Sequence, residues 1–195
     1  QAPSAGFAAL VLAVLLGLTL LLSGCVRVSA EIELAGPDRL AMSWQIKSLS
    51  GHSLPWQQNF AKALRSEGLS WAVKQGRTGG LNLISPTLGA DGAAELMRSS
   101  VELAGRSAGL TLPTPELSVV ERNWLIGVQQ QLTLQLDLSP LAEFPAGDLR
   151  VSITPVRDLK QVNTSPTTGQ LQGDVLNWSL ESGSINQLQV KRWQW

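Results

Sequence analysis

The chain has 195 residues, a length typical of one domain. Its 15 Lys and Arg residues balance 15 Asp and Glu residues. It therefore lacks the basic excess that a nucleic-acid-binding protein uses to displace counterions from phosphates, and we expect no nucleic-acid partner. One Cys and one His exclude an internal disulfide and a structural zinc site within the chain, and any Ser-His-Asp triad would depend on His52.

An uncharged segment opens the chain. Residues 1–24 contain no charged residue, and the run from Phe7 to Leu22 is apolar except for one Thr and one Gly. As a helix this run would span about 24 Å, less than the hydrocarbon core of about 30 Å. The length therefore predicts a signal peptide over residues 1–24 rather than a permanent span. The basic region that precedes such a segment is missing, so we expect the natural start upstream of Gln1.

The apolar run leads into a specific motif, Leu22-Ser23-Gly24-Cys25. It matches the bacterial lipobox, in which an aliphatic residue and two small residues precede a Cys. The signal peptidase requires the small residues next to its cleavage site, and the Cys thiol carries a diacylglyceryl group. We therefore predict that Cys25 becomes the lipidated first residue of the mature protein, anchored by two or three acyl chains. The alternative is a buried Cys at the end of a transmembrane helix.

Alternating apolar and polar residues predict a β-hairpin directly after Cys25, with strands over residues 26–34 and 40–46. A first helix is predicted to begin near Pro55 and to end at Gly68. A second is predicted over Asp91–Gly109, where apolar residues recur at helical spacing. Short strands are predicted between the two helices.

The second half of the chain is predicted to be mainly strands. Residues 163–173 are polar and are predicted to be mobile. The pattern predicts an α+β fold: an antiparallel sheet or open β-barrel of about eight strands, with two helices inserted in the N-terminal half. We expect residues 25–195 to form a single globular domain. The later strands are predicted over residues 117–126, 128–138, 149–156, 175–180 and 185–191.

Tryptophan dominates the aromatic residues, with seven Trp, three Phe and no Tyr. Trp44, Trp56 and Trp71 lie on elements that are expected to bury one face, so the ordinary interpretation is that they belong to the core. The alternative is that they line a pocket for an acyl or isoprenoid chain together with Met97, because such pockets are mainly apolar and aromatic.

The C-terminal strand combines cations and aromatic residues: Lys191, Arg192, Trp193 and Trp195. Trp residues sit at the headgroup level of a bilayer, and Lys and Arg attract anionic lipids. This segment is therefore a candidate contact with a membrane or a partner. A strand end that packs on the rest of the domain is the alternative.

Residues that could support catalysis have ordinary explanations. His52 lies in a predicted loop with no carboxylate beside it in sequence, so we expect an exposed or helix-capping residue. Glu31 and Glu33 share a strand face with Arg27, a pattern typical of a solvated charged surface. We therefore predict no catalytic residues, no metal site, no cofactor and no enzyme activity.

The last strands carry a Gly-x-x-x-x-Trp pattern from Gly173 to Trp178. With a lipobox that leads straight into a strand, this resembles the LppM-type lipoproteins of mycobacteria. Residues 34–38 and 44–52 resemble even more closely an uncharacterised family of cyanobacterial lipoproteins. The resemblance covers residues 25–193 and implies a lipid-anchored α/β domain with a hydrophobic cavity for a lipid. It implies an extracytoplasmic location, periplasmic or in the thylakoid lumen, and brings no catalytic residues.

Two functions are consistent with these features. The first is a bacterial membrane lipoprotein whose globular domain binds or shields a lipid or another hydrophobic ligand. The alternative is a non-enzymatic structural or assembly subunit that docks to a membrane protein complex. An apolar cavity would favour the first, whereas a fully packed interior with an exposed apolar patch would favour the second.

Overall fold

A computed structural model describes residues 26–49, 51–76, 79–142, 147–156 and 158–194 of the chain. The predicted signal peptide with its lipobox, the predicted lipidation site Cys25 and the terminal Trp195 lie outside the described residues.

Two helices lie in the N-terminal half, α1 over Pro55–Ser66 and α2 over Ala90–Ala108. Proline at the first position of α1 lacks an N–H that would have no partner there. The Gln57 side chain accepts a hydrogen bond from the N–H of Leu54 at 2.8 Å, which helps to start the helix. Gly109, with φ +71°, ends α2 in the left-handed conformation that Gly adopts without strain. Neither helix of the described residues is long and apolar enough to cross a bilayer.

The described residues form 12 strands in two open sheets, neither of which closes into a barrel. The predicted α+β fold with two helices is therefore confirmed, with open sheets in place of the barrel and more strands than the eight expected. The strands are β1 Val26–Gly36, β2 Arg39–Ser48, β3 Ala72–Gln75, β4 Leu81–Ile84, β5 Leu88–Gly89, β6 Glu116–Trp124, β7 Gly127–Asp137, β8 Asp148–Thr154, β9 Leu159–Ser165, β10 Gln170–Gln172, β11 Val175–Ser179 and β12 Ile185–Gln194.

Sheet 1 has the order β10-β11-β8-β1-β2-β4-β3, and β5 also pairs with β2. The predicted β1–β2 hairpin is present and antiparallel. The β1–β8 pair is parallel, which the prediction of an antiparallel sheet did not include. A parallel pair requires a long crossover connection. Here both helices and the β6–β7 hairpin lie between the two strands in sequence, so the crossover is long enough.

Sheet 2 has the order β6-β7-β12-β9, and all its pairs are antiparallel. Residues 163–173, which the sequence predicts to be mobile, contain the end of β9 and the whole of β10. The polar residues of this segment lie on strands at sheet edges. Backbone hydrogen bonds to β12 and β11 hold these strands, so they need few apolar side chains.

The apolar side chains of β1 become less buried toward its N-terminus. Ile32 and Leu34 are fully enclosed, whereas Val26, Val28 and Ala30 on the same face are half-buried. The same change occurs along β8 and β7, where Leu149 and Leu136 are half-buried and Val151 and Leu134 are enclosed. The core is therefore tightly packed where β1 ends and is incompletely filled where β1 begins.

Candidate functional site

A large apolar cavity lies at the incompletely filled end of the core. Its volume is about 660 Å³, within the range of about 300–1,000 Å³ typical of small-molecule pockets. The wall is built by β1, β2 and β8 of sheet 1, by β7 of sheet 2, by α2 and by the start of α1. Because no single element encloses it, the cavity depends on the whole tertiary arrangement.

The tryptophans predicted to line a pocket fall into two groups. Trp44, Trp56 and Met97 line the cavity, as the alternative interpretation expected. Trp71 does not, and this part of the prediction is wrong. Trp71 is only 7% exposed and packs against Trp44, with the ring centroids 5.2 Å apart. It is therefore a core residue that packs against Trp44 and does not itself line the cavity.

The indole N–H groups of these neighbouring tryptophans differ in their partners. The Trp71 N–H donates to the Ser100 hydroxyl at 2.7 Å, and that hydroxyl donates to the carbonyl of Leu96. The Trp44 N–H is buried and has no hydrogen-bond partner among the described residues. An unsatisfied buried donor is costly, and because this nitrogen has almost no accessible surface, a ligand in the cavity does not reach it.

Helix α2 contributes one continuous stripe to the wall. Met97, Val101, Ala104 and Ala108 recur at three- and four-residue intervals and all line the cavity. Toward the C-terminal end of the stripe the side chains are small. The helix therefore fills less of the space in front of sheet 1 there, and the cavity occupies the remainder.

Polar groups gather at the end of the cavity where β1 begins and β7 ends, which we call the mouth. Asp148 accepts hydrogen bonds from the Nε of Arg150 at 2.7 Å and from the Nε of Arg27 at 2.8 Å. The bond from Arg150, with the charge of Arg27, lowers the pKa of the Asp148 carboxyl. Hydrogen bonds from Ser139 lower the pKa of Asp137, which lines the cavity. Asp137 and Arg150 are the charged residues among those that line the cavity. Arg27 and Asp148 lie on the outer face of sheet 1, opposite Val26 and Val28, so their ion pair borders this end of the cavity from outside.

Close packing ties the first residue of β1 to the mouth. Gly147 lies against the Val26 carbonyl, so that a Cβ at position 147 would fall 2.2 Å from that oxygen. Only glycine permits this approach. Both residues line the cavity, so the mouth is located where the chain emerges from Cys25.

The structure places the residues of the predicted β12 contact on two different faces. Lys191 and Trp193 share the outer face of β12 and are half-exposed. Arg192 points inward and is 4% exposed, because successive strand residues face opposite sides of a sheet. Its side chain is therefore not at the surface where a membrane or a partner would make the predicted contact.

Arg192 instead belongs to a polar network that joins the sheets. Its guanidinium donates to the Gln130 side-chain oxygen at 2.7 Å and to the Pro155 carbonyl at 2.9 Å. Gln130 donates to Glu121, which also accepts a hydrogen bond from the backbone N–H of Asp38. Burial lowers the pKa of Arg192, and the nearby negative charge of Glu121 opposes this shift.

His52 lies elsewhere, in a polar surface cleft beside the start of α1. The side chain is exposed, and Gln57 and Gly79 also line the cleft. Among the described residues no three His, Cys, Asp or Glu side chains lie close enough together to hold a metal ion.

Comparison with known proteins places the chain in a family. The family described as "Protein of unknown function (DUF3153)" matches residues 30–195. The chain belongs to this family. The NMR structure of the folded domain of LppM from Mycobacterium tuberculosis is similar, with 15% sequence identity and a TM-score of 0.49 over 87% of this chain and 90% of that chain. No curated protein matches the chain.

The DUF3153 region contains most of the cavity wall, including residues that the sequence did not identify. Val101, Ala104 and Ala108 were interpreted as part of an ordinary core stripe, and the lining role of Leu136 on β7 was not foreseen. The sequence feature that could have indicated these lining residues is the run of small residues on α2. Such a run is typical either of close helix packing or of unfilled space beside the helix. Sequence alone does not distinguish these two outcomes.

Proposed function

We propose that the domain binds an acyl chain of a membrane lipid in the apolar cavity, and that a lipid on Cys25 anchors it to the membrane. The observation that carries this proposal is the cavity, with an apolar interior and two charged lining residues, Asp137 and Arg150, at one end. This arrangement matches a molecule with a hydrocarbon tail and a polar head. Each methylene group moved from water into such a site contributes about 0.8 kcal/mol.

The position of the mouth supports transfer from a bilayer. Val26 at the mouth follows Cys25 directly, and consecutive Cα atoms are about 3.8 Å apart. A lipid on Cys25 would therefore hold the mouth next to the bilayer surface. An acyl chain could then move between the bilayer and the cavity with little exposure to water. The domain would act on the extracytoplasmic side, where lipobox proteins are processed.

The cavity also favours ligand binding over the alternative of an assembly subunit. A docking platform has no need of an unfilled interior, because interiors pack to high density and voids reduce stability. The proposed function is binding rather than catalysis.

The unpaired Trp44 N–H leads to a prediction about stability. Trp44→Phe removes this buried donor and keeps an aromatic ring in the wall of the cavity. An unpaired buried donor costs about 1–3 kcal/mol, and its removal offsets much of the packing that is lost with the smaller ring. We therefore expect the free energy of unfolding to change by less than about 1 kcal/mol. Urea denaturation followed by circular dichroism measures the change.

Trp71→Phe is the matched control, since its indole N–H is already paired with Ser100. We expect this variant to lose more stability than Trp44→Phe, because it loses a hydrogen bond as well as packing. Equal losses in the two variants would contradict a cost for the unpaired Trp44 N–H.

Mass spectrometry tests the proposed function directly. The full chain is extracted from its own membrane in mild detergent and examined under native and then denaturing conditions. We expect the native protein to release a lipid of defined mass, and the denatured protein to begin at Cys25 with an added diacylglyceryl group. A native protein without lipid would overturn the cavity proposal, and an unmodified intact N-terminus would overturn the anchor. The two parts are therefore tested separately.

A further inference from the structure

The turn between β6 and β7 exposes three consecutive large apolar residues. Leu125 is fully exposed, and Ile126 and Trp124 keep 73% and 57% of their side-chain surface exposed. Two-residue hairpin turns usually contain Gly, Asn or Asp, which tolerate the turn geometry and are soluble. Folding therefore does not explain Leu125 and Ile126 at this position, and the exposed apolar turn indicates an interaction site.

The neighbouring outer face of sheet 2 adds aromatic and basic side chains. The Trp193 ring packs against that of Trp124, with the centroids 6.2 Å apart. The strand register aligns Arg122 and Trp193 with Gln129 in one row across the sheet, and Val120 and Lys191 with Gln131 in the next. The residues that β6, β7 and β12 contribute to these two rows include no Asp or Glu. Asp158 borders the first row, where its carbonyl accepts a hydrogen bond from the backbone N–H of Trp193 at 3.2 Å. We call the group Trp124, Leu125, Ile126, Trp193, Arg122 and Lys191 the tip patch.

We propose that the tip patch inserts into the interface of an anionic lipid bilayer. Trp and aliphatic side chains at a narrow projecting turn reach the boundary between headgroups and acyl chains, while Arg122 and Lys191 contact anionic headgroups. A stable protein interface buries about 800 Å² on each partner, and a two-residue turn provides much less. The shape of the tip patch and its one-sided charge therefore favour a lipid surface over a protein.

The tip patch and the cavity mouth lie at opposite ends of β7. Gly127 begins this strand at the tip, and Asp137 ends it at the mouth. At about 3.3 Å per residue, a strand of 11 residues is roughly 33 Å long. The bilayer that the tip patch contacts is therefore a second one, facing the membrane next to the mouth. This assignment to a second bilayer rests on the proposed function, which sets the mouth at the anchoring membrane.

A vesicle-bridging experiment tests the proposal. The full chain is extracted and reconstituted into phosphatidylcholine vesicles, which are mixed with acceptor vesicles that contain phosphatidylglycerol and brominated acyl chains. We expect the vesicles to cluster, as measured by light scattering, and the bromine atoms of the acceptors to quench tryptophan fluorescence. Added salt should weaken clustering, because it screens the attraction between the cations and the anionic surface.

Leu125→Glu is expected to weaken acceptor binding about tenfold, since it places a charge where an apolar side chain enters the bilayer. Leu171→Glu is the matched control: Leu171 is half-exposed on β10 of the other sheet, and its replacement should not change clustering. Circular dichroism checks that both variants are folded.

Several outcomes would overturn the proposal. One such outcome is that the Leu125→Glu variant clusters acceptor vesicles to the same extent as the unsubstituted chain. Another is that neutral and anionic acceptor vesicles bind equally. Quenching only when the brominated lipid is in the vesicle that carries the protein would place the tip patch at the anchoring membrane. If the protein bound no acceptor vesicles of any composition, a protein partner would be the explanation for the exposed tip patch. Ala104→Phe fills the cavity but leaves the tip patch unchanged. Vesicle clustering by this variant therefore tests the tip patch separately from lipid binding in the cavity.

Discussion

Ala104→Phe is expected to reduce lipid binding at least tenfold while leaving the domain folded. Ala104 is part of the α2 stripe that lines the cavity, so a phenyl ring there occupies space that the acyl chain would use. Loss of about two buried methylene contacts already corresponds to a tenfold change, at about 0.8 kcal/mol each. The thermal midpoint should stay the same or rise, because the ring fills an empty part of the core. Native mass spectrometry of co-purified lipid and uptake of a fluorescent phospholipid measure the loss.

Glu102→Phe is the matched control for this prediction. Glu102 lies on the exposed side of the same helix and outside the cavity wall, so the same aromatic ring there should leave binding unchanged. Ala104→Ser keeps the volume of the original residue and should also bind lipid. Unchanged lipid uptake by Ala104→Phe would show that the cavity is not the binding site.

Arg192→Leu is expected to lower the free energy of unfolding by about 3 kcal/mol. The substitution leaves the side-chain oxygen of Gln130 and the carbonyl of Pro155 without their donor. It also removes the positive charge that faces Glu121. Each buried group that loses its partner costs roughly 1–3 kcal/mol. Urea denaturation followed by circular dichroism measures the change.

Lys191→Leu provides the control, because Lys191 is the preceding residue of the same strand and faces outward. We expect a change within about 0.5 kcal/mol. Arg192→Lys keeps the charge without the fork of donors and should lie between the two. A small effect of Arg192→Leu would mean that the buried network contributes little to holding the two sheets together.

Local patterns in the sequence predicted the regular elements well. The β1–β2 hairpin follows from strict alternation of apolar and polar residues, and both helices follow from helical spacing with Pro55 at one start and Gly109 at one end. These features depend on neighbours within a few residues, so they are readable from one chain. The face of β12 on which Arg192 lies was also predictable, because every second residue of a strand shares a face. Leu188 and Val190 are buried, and Arg192 lies on their face.

The candidate site was only partly predictable. Trp44, Trp56 and Met97 line the cavity, but Trp71 looked equivalent in sequence and lies behind Trp44. Which of two stacked aromatic rings faces a cavity depends on the elements that pack around them. The exposed Leu125 and Ile126 were interpreted as the end of a strand, because the position of a two-residue turn decides whether such residues are buried or projected into solvent.

By itself the sequence determined the helices, the larger strands and the kinds of site that the composition excludes, such as an internal disulfide. Periodicity and residue counts are properties of the chain alone. The tertiary structure decided the parallel β1–β8 pair, the partners of Arg192 in its buried network, and the cavity. A cavity is a volume that distant elements fail to fill. The cavity therefore depends on the spacing of β1, β7 and α2. It also depends on the orientation of α2, whose small side chains point toward sheet 1.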